Sequence, residues 1–486
     1  MLKKLNRVTA SLPQQRPIKV LQFGGGNFLR AFADWMIDLL NEQTDFNGAV
    51  QIVQSTASGK GDLINAQQGL YHLVLNGIKN GNPFEETRLI TCVNGAVNPT
   101  EDYQSYLKTA ENPELKFIIS NTTEVGIAFN PKDTALSTVP ESFPGKLTAL
   151  LYHRFTYFNG ATDKGLILLP CELLEKNGEI LKQTIHQFIT HWNLPNAFAE
   201  WINNCNIFCN TLVDRIVPGF PKDTINEIQR STGYEDNLVV MAEPFHLFVI
   251  EAPDVVRNAF PADKIGLNVR FVNDLSPYRT SKVRILNGIH TAMVPIAYLN
   301  GLRTVRESID DKTIGEFIRK TINDEIIPTL DLPKEELQQF ANDVLERFQN
   351  PFIRHELMSI ALNSISKWKV RVLPSILKYV ELKKQLPEKL IFSLAALIRF
   401  YKGEWNGEPI ALNDTPEVLS FFKKVWSGND STIVAHRVLS NKDFWDMDLT
   451  TISGLEDKVK SYLQKMKLNN SLHSISAGFL PNRARN

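Results

Sequence analysis

The sequence predicts an α/β protein: a doubly wound, largely parallel sheet covered by helices, followed by a mainly α-helical second domain. Three observations predict it. Short apolar segments alternate with helical stretches through the first half of the chain. A glycine-rich turn joins the first of those segments to an amphipathic stretch. Beyond Pro277, long helical periodicities replace the strand signals.

The candidate strands are Lys19–Phe23, Val50–Val53, Phe117–Ser120, Leu166–Leu169 and Val269–Val272. After the first comes a helix with Phe28, Phe32, Trp35 and Leu39 at helical spacing. A second helix, Asn177 to Trp192, sets Ile180, Ile185, Phe188 and Trp192 at similar intervals. Asn-Asp-Leu-Ser-Pro at residues 273–277 breaks the pattern, so the chain is divided into domains 1–276 and 277–486. Helical patterns then cover Val283–Leu299, Ile314–Ile327, Lys334–Arg347, Leu357–Ser366 and Lys389–Tyr401.

Length and charge narrow the function. A chain of 486 residues exceeds one ordinary core, which favours two domains. Lys+Arg and Asp+Glu both number 53, so the basic excess of a nucleic-acid binder is missing. The basic N-terminus lacks the apolar stretch of a secretory signal, and the most apolar run, Leu390 to Ile398, is too short to span a bilayer and reads as a buried helix. Cys92, Cys171, Cys205 and Cys209 are too few for a disulfide framework. Cys205 and Cys209 have no second Cys or His pair to complete a metal site. The expectation is a cytoplasmic protein with reduced thiols and no metal.

The first strand runs into Phe23-Gly24-Gly25-Gly26-Asn27-Phe28-Leu29-Arg30. Glycines at a strand-to-helix turn let the backbone approach a diphosphate at the positive end of a helix dipole. This is the context of a Rossmann-like dinucleotide fold, although Leu29 stands where a third glycine or alanine is usual. At the end of the second strand, Val53-Gln54-Ser55-Thr56-Ala57 offers neither the ribose-binding acid of NAD enzymes nor an Arg for a 2′-phosphate, so the residues leave NAD and NADP open. Asn121-Thr122-Thr123-Glu124 ends another strand; these residues line a nicotinamide pocket or cap the next helix.

Past the boundary, Lys282, Asn287 and His290 lie five and three residues apart. At about 100° per residue they share an arc of roughly 140° on an α-helix. Hydride reduction of a carbonyl needs a proton donor for the developing alkoxide, which a desolvated lysine supplies, and fixed dipoles around it, which Asn and His supply. A regulator that merely binds nucleotide shares the glycine turn, and the Lys-Asn-His cluster separates the two readings. Cys171, without an activating base, reads as a packed thiol, and His246 and His355 read as structural, with a place bordering the pocket the alternative for His355, which follows the Asn-Pro segment.

The stretch Lys-Val-Arg-Ile-Leu-Asn-Gly-Ile-His-Thr-Ala resembles the signature of the mannitol dehydrogenase family of long-chain polyol and uronate dehydrogenases. Its Lys-x-x-x-x-Asn-x-x-His matches Lys282, Asn287 and His290, and its Gly-x-Gly-x-Phe-x-Arg-Ala matches Gly24, Gly26, Phe28, Arg30 and Ala31. Cys171-Glu172 followed by Asn177-Gly178, Val213 to Pro218, Glu243 to Phe245, Asn350-Pro351 and Lys367 extend the resemblance over nearly the whole chain. It implies NAD(H) held by Gly24, Gly26, Asn27, Phe28, Arg30, Thr122 and Glu124, with Asn177 completing a polar catalytic pocket. Gln-Phe-Gly-Gly-Gly-Asn-Phe-Leu-Arg-Ala-Phe-Ala-Asp-Trp, Ser-Asn-Thr-Thr-Glu and Pro-Cys-Glu-Leu-Leu resemble uronate-reducing members more than polyol-oxidising ones. A sugar acid needs a cationic partner, and Arg279, Lys367 and Arg371 are the candidates. Arg279 stands where polyol members often carry an acid, three residues before the catalytic lysine, and its alternative is a surface side chain. Oligomeric state is left open.

Overall fold

The computed structural model describes residues 2–13, 15–54, 59–122, 124–428, 430–468 and 472–479; of the side chains of residues 123–125 nothing is said. The chain forms two compact units, residues 1–79 with 83–275, and residues 276–486 with 80–82.

The first unit is built on a six-stranded sheet: β1 (Ile18–Phe23), β2 (Ala49–Val53), β3 (Val93–Val97), β4 (Phe117–Ser120), β5 (Ile167–Pro170) and β6 (Ile207–Phe208). All pairings are parallel and the order is β3-β2-β1-β4-β5-β6, the doubly wound order with its switch point at β1/β4. Successive residues face opposite sides of a strand, and here both sides are buried. Val20, Ile52, Phe117, Ile119 and Leu169 join one core with Phe32, Met36, Ile37 and Leu40. Leu21, Val53, Ile118 and Leu168 join another with Leu147, Leu150, Leu151, Leu181 and Ile185. That is why these strands read as continuous apolar runs.

Smaller sheets extend this unit. Val269–Val272 is not part of the main sheet; it pairs with Leu247–Glu251, which runs antiparallel to Asn210–Asp214. A hairpin of Tyr71–Lys79 and Asn82–Ile90 turns at Asn80-Gly81, both at positive φ (54° and 75°), and its first strand pairs with Val240–Ala242.

The second unit is helical around one core. Its centre is the helix Glu388–Phe400, in which every residue from Leu390 to Leu397 is buried. Burying each Leu, Ile or Phe side chain there contributes about 1.5–3 kcal/mol, and the one polar residue, Ser393, donates from Oγ to the Ala292 carbonyl at 2.7 Å. No described helix is long and apolar enough to cross a membrane.

The expected α-helix from Val283 is interrupted. Lys282–Gly288 is a π-helical segment between α-helices Ser276–Ser281 and Ile289–Leu299. A second, Thr321–Ile326, follows the helix Lys312–Lys320. Such i→i+5 insertions recur at functional sites.

Candidate functional site

In the first unit the glycine turn opens a cavity of about 860 Å³ at the carboxyl ends of β1, β2 and β4. Gly24, Gly25, Gly26, Asn27, Asn121 and Thr122 line it. Gly24 has φ 111°, where a Cβ is strained, and its N–H is held by the Val53 carbonyl at 3.0 Å. Gly26 is different: its backbone is ordinary, and a Cβ there would meet nothing within 4 Å. That open space beside exposed backbone is a cradle suited to a diphosphate, so these residues fit a dinucleotide. The helix that follows is broken: Asn27–Arg30 is one turn, Phe32 departs from helical geometry, and Ala33–Gln43 continues.

Arg30 and Phe28, expected to touch cofactor, do not line the cavity. Arg30 is fully buried behind the turn, donating to the Gly25 carbonyl (3.2 Å), the Leu238 carbonyl (2.5 Å) and Asn27 Oδ1 (2.8 Å), with its guanidinium over the Tyr71 ring. It shapes the turn from beneath. Phe28 stacks on Phe32 with ring centroids 4.9 Å apart. Thr122 is anchored by Glu172, whose Oε1 accepts from its N–H (2.9 Å) and Oγ1 (3.0 Å) and whose Oε2 accepts from Ser120 Oγ (3.1 Å). Burial raises the Glu172 carboxyl above its ordinary value, against these hydrogen bonds. Glu172 thus ties the ends of β4 and β5. The Glu124 side chain lies outside the described residues.

Asn177 is fully buried and spent on the fold. Its amide donates to the carbonyls of Pro170 (2.9 Å) and Glu172 (3.1 Å), and its Oδ1 accepts from Thr211 N (2.8 Å) and Gly178 N (3.0 Å). A Cβ on Gly178 would lie 2.3 Å from the Cys209 carbonyl oxygen, which explains the Asn-Gly pair. An amide so occupied positions backbone and leaves little for a reacting atom.

In the second unit Lys282, Asn287 and His290 are all half-buried. The π segment corrects their geometry. On an α-helix Lys282 and Asn287 would stand about 140° apart; the wider i→i+5 turns bring residues five apart nearer to one face. The His290 ring stacks on Phe348 (4.0 Å between centroids) and meets His355 edge-on (5.0 Å). Its Nε2 is buried with no hydrogen-bond partner among the described residues. Burial, then the charges of His355, Arg347 and Arg371, hold it well below the ordinary histidine value, so it is neutral at pH 7.

The helix Ser364–Arg371 carries two of the expected cations. Lys367 donates to the Ile360 carbonyl (3.0 Å), and Arg371 reaches Thr291 Oγ1 (3.4 Å). Burial lowers both from their ordinary values, and for Lys367 the neighbouring Arg371 adds to it. This helix packs on the π segment: Arg284 donates to the Val370 carbonyl at 2.7 Å, and a Cβ on Gly288 would sit 3.0 Å from the Arg371 oxygen. Arg279, half-buried, precedes the segment by one turn.

Residues 18–264 match the Mannitol dehydrogenase Rossmann domain, and residues 274–467 the Mannitol dehydrogenase C-terminal domain. The chain belongs to the mannitol dehydrogenase family. Within it, the chain is 48% identical to an altronate oxidoreductase of Bacillus subtilis (strain 168), over 95% of each protein. It is 47% identical to an altronate oxidoreductase of Bacteroides thetaiotaomicron, over 98% of this chain and 99% of that one. Among solved structures it resembles a D-sorbitol dehydrogenase in substrate-free form, with a TM-score of 0.78, 22% identity and 96% and 98% of the two chains covered. It also resembles the Pseudomonas fluorescens mannitol 2-dehydrogenase ternary complex with NAD and D-mannitol, at TM-score 0.65 and 20% identity over 99% and 100%. At those identities the likeness concerns the fold.

Sequence reasoning missed part of this family member's cavity wall: Gln54, Lys60, Gly61, Phe129 and Asn130 also line it. Their signal was position, since Gln54 follows directly on β2. Glu172 was legible only as half of the Cys-Glu pair.

Proposed function

We propose that this chain is an NAD(H)-dependent altronate oxidoreductase, reducing D-tagaturonate to D-altronate. The observation that carries the reading is its 48% identity, over 95% of both chains, to an altronate oxidoreductase. The glycine turn and its cavity support the cofactor, and the cations near the π segment support an acid substrate.

Gly24, Gly26, Asn27 and Thr122 hold the cofactor, with Arg30 and Glu172 shaping the walls. Bound NADH supplies the hydride. The chain's own residues govern the oxygen of the substrate ketone as it becomes an alkoxide. Lys282 gives it a proton, Asn287 donates a hydrogen bond from the next π turn, and neutral His290 donates from Nε2. Arg279, Lys367 and Arg371 hold the carboxylate, which keeps its charge throughout the reaction. Asn177 acts as a positioning residue. The protein works in the cytoplasm on a small sugar acid.

Purified protein with NADH and, separately, D-tagaturonate, D-fructuronate and D-fructose tests the substrate. Fastest NADH oxidation with tagaturonate is expected; turnover on fructose alone would sink the uronate reading. Lys282→Ala should lower kcat by about 10²–10⁴-fold while NADH still binds, and retained turnover removes Lys282 from its role. Lys367→Ala and Arg371→Ala should raise KM for the uronate at least about tenfold, the scale of one charge-assisted hydrogen bond. An unchanged KM places the carboxylate elsewhere.

A further inference from the structure

Beneath the glycine turn lies a carboxyl group that the proposed reaction does not use. Asp34 is fully buried in the first turn of Ala33–Gln43. We infer that Asp34 is a positioning residue for cofactor binding: its carboxyl takes up a proton when NADH binds, and the protonated form is the one that receives the diphosphate. This rests on the cofactor reading above.

Contacts run from Asp34 to the turn along two side chains. Tyr71 Oη lies 3.0 Å from Asp34 Oδ2 and 2.8 Å from the Arg30 carbonyl. Gln22, also fully buried, lies against the Asp34 carboxyl and donates from Nε2 to the Gly24 carbonyl at 3.1 Å. Acceptors outnumber donors here: Asp34 Oδ1 and Gln22 Oε1 are buried with no hydrogen-bond partner among the described residues. A proton on Asp34 supplies a donor and removes a charge from a buried place. Asp236, another buried acid near Arg30, is the contrast: its oxygens accept from Gln67 Nε2 (2.9 Å), His72 N (2.7 Å) and Leu238 N (2.8 Å).

Arg30 faces Asp34 from the turn, where its guanidinium donates to the Gly25 carbonyl and Asn27 Oδ1. The other charges around Arg30 are Asp236 and Lys60. Asp38 faces Asp34 from its own helix and is paired with Arg88 at 3.0 Å. Tyr71, and Cys92, whose Sγ donates to the Asp34 carbonyl at 3.2 Å, are neutral because burial pushes both well above their ordinary values. An ionised Asp34 answers the Arg30 charge from behind. A neutral one leaves that charge to act on the turn, whose backbone N–H groups cradle the diphosphate. Negative phosphates there make a further negative charge beneath them costly, so binding draws a proton onto Asp34. Burial already lifts this carboxyl to about 7. Affinity is therefore full below that value and falls as pH rises through it.

Fluorescence titration of the full chain with NADH between pH 6 and 9 tests this, on native protein and on Asp34→Asn, which keeps the shape without the charge. The native Kd should rise at least about fivefold over that range. Asp34→Asn should match the native Kd at pH 6 within about twofold and change less than about twofold up to pH 9. Calorimetry of the native protein at pH 7, in two buffers of different ionisation heat, should show a fraction of a proton taken up per NADH bound, and it decides the question should the variant fail to fold. A native Kd independent of pH, an absence of proton uptake, or the native pH profile persisting in Asp34→Asn each overturns the inference. Native protein that binds no NADH at any of these pH values removes the cofactor reading itself.

Discussion

A hydroxyl has one proton to give, and Tyr71 has two acceptors beside it. Its oxygen lies 2.8 Å from the Arg30 carbonyl and 3.0 Å from Asp34 Oδ2, both buried beneath the glycine turn. The single Tyr71 proton is divided between the Arg30 carbonyl and Asp34 Oδ2, so a charged Asp34 carboxylate is only partly compensated in this buried place. Burial agrees, lifting the Asp34 carboxyl from 3.8 to about 7 despite hydrogen bonds from Tyr71 and Gln22 and the charge of Arg30. The folded state therefore keeps a proton that the unfolded chain releases. This stabilisation is complete below the unfolded value and is lost as pH rises through about 7, by up to about 1.4 kcal/mol per pH unit. Asp34→Asn should flatten that fall, measured as denaturant midpoints between pH 4 and 7.5; an unchanged slope assigns the titration elsewhere. Nothing in the local sequence marks Asp34, because its neutralisation depends on strand residues far along the chain.

At the scale of elements, glycines and one π-helical segment set the local backbone geometry. Gly24 serves backbone conformation, whereas Gly26 leaves space, and only the latter distinction predicts a clean phenotype. Gly26→Val should leave the melting temperature within about 2 °C, since its Cβ meets nothing, yet weaken NADH binding more than about tenfold by filling the diphosphate cradle. Tight NADH binding by that variant would move the diphosphate elsewhere. The cluster of Lys282, Asn287 and His290 was legible from spacing, but its geometry was not. A π segment arises from how a helix meets its neighbours, here the close approach of Ser364–Arg371 at Gly288. The two-residue turn Asn80-Gly81, by contrast, was a readable hairpin signal that the strand assignment passed over.

Across the whole molecule, the cores of the two units share no residue: one set of clusters lies within residues 20–269 and the other within 285–472. Cofactor binding should accordingly act locally. In hydrogen exchange, NADH should slow amides around Gly24–Asn27 and Lys60–Ala66 and leave Glu388–Phe400 unchanged; protection confined to the second unit would contradict the cavity's assignment. The sequence by itself determined the α/β class, the helical second half, the glycine turn and the Lys-Asn-His cluster. These rest on local periodicity and on residue types that only certain backbones and chemistries require. Tertiary structure alone decided that Arg30, Phe28 and Asn177 brace the fold, that Gln54 and Lys60 line the cavity, and that Asn80–Asn82 belongs with the second unit. Burial and hydrogen-bond partners come from contacts between residues tens to hundreds of positions apart, and no local pattern carries them.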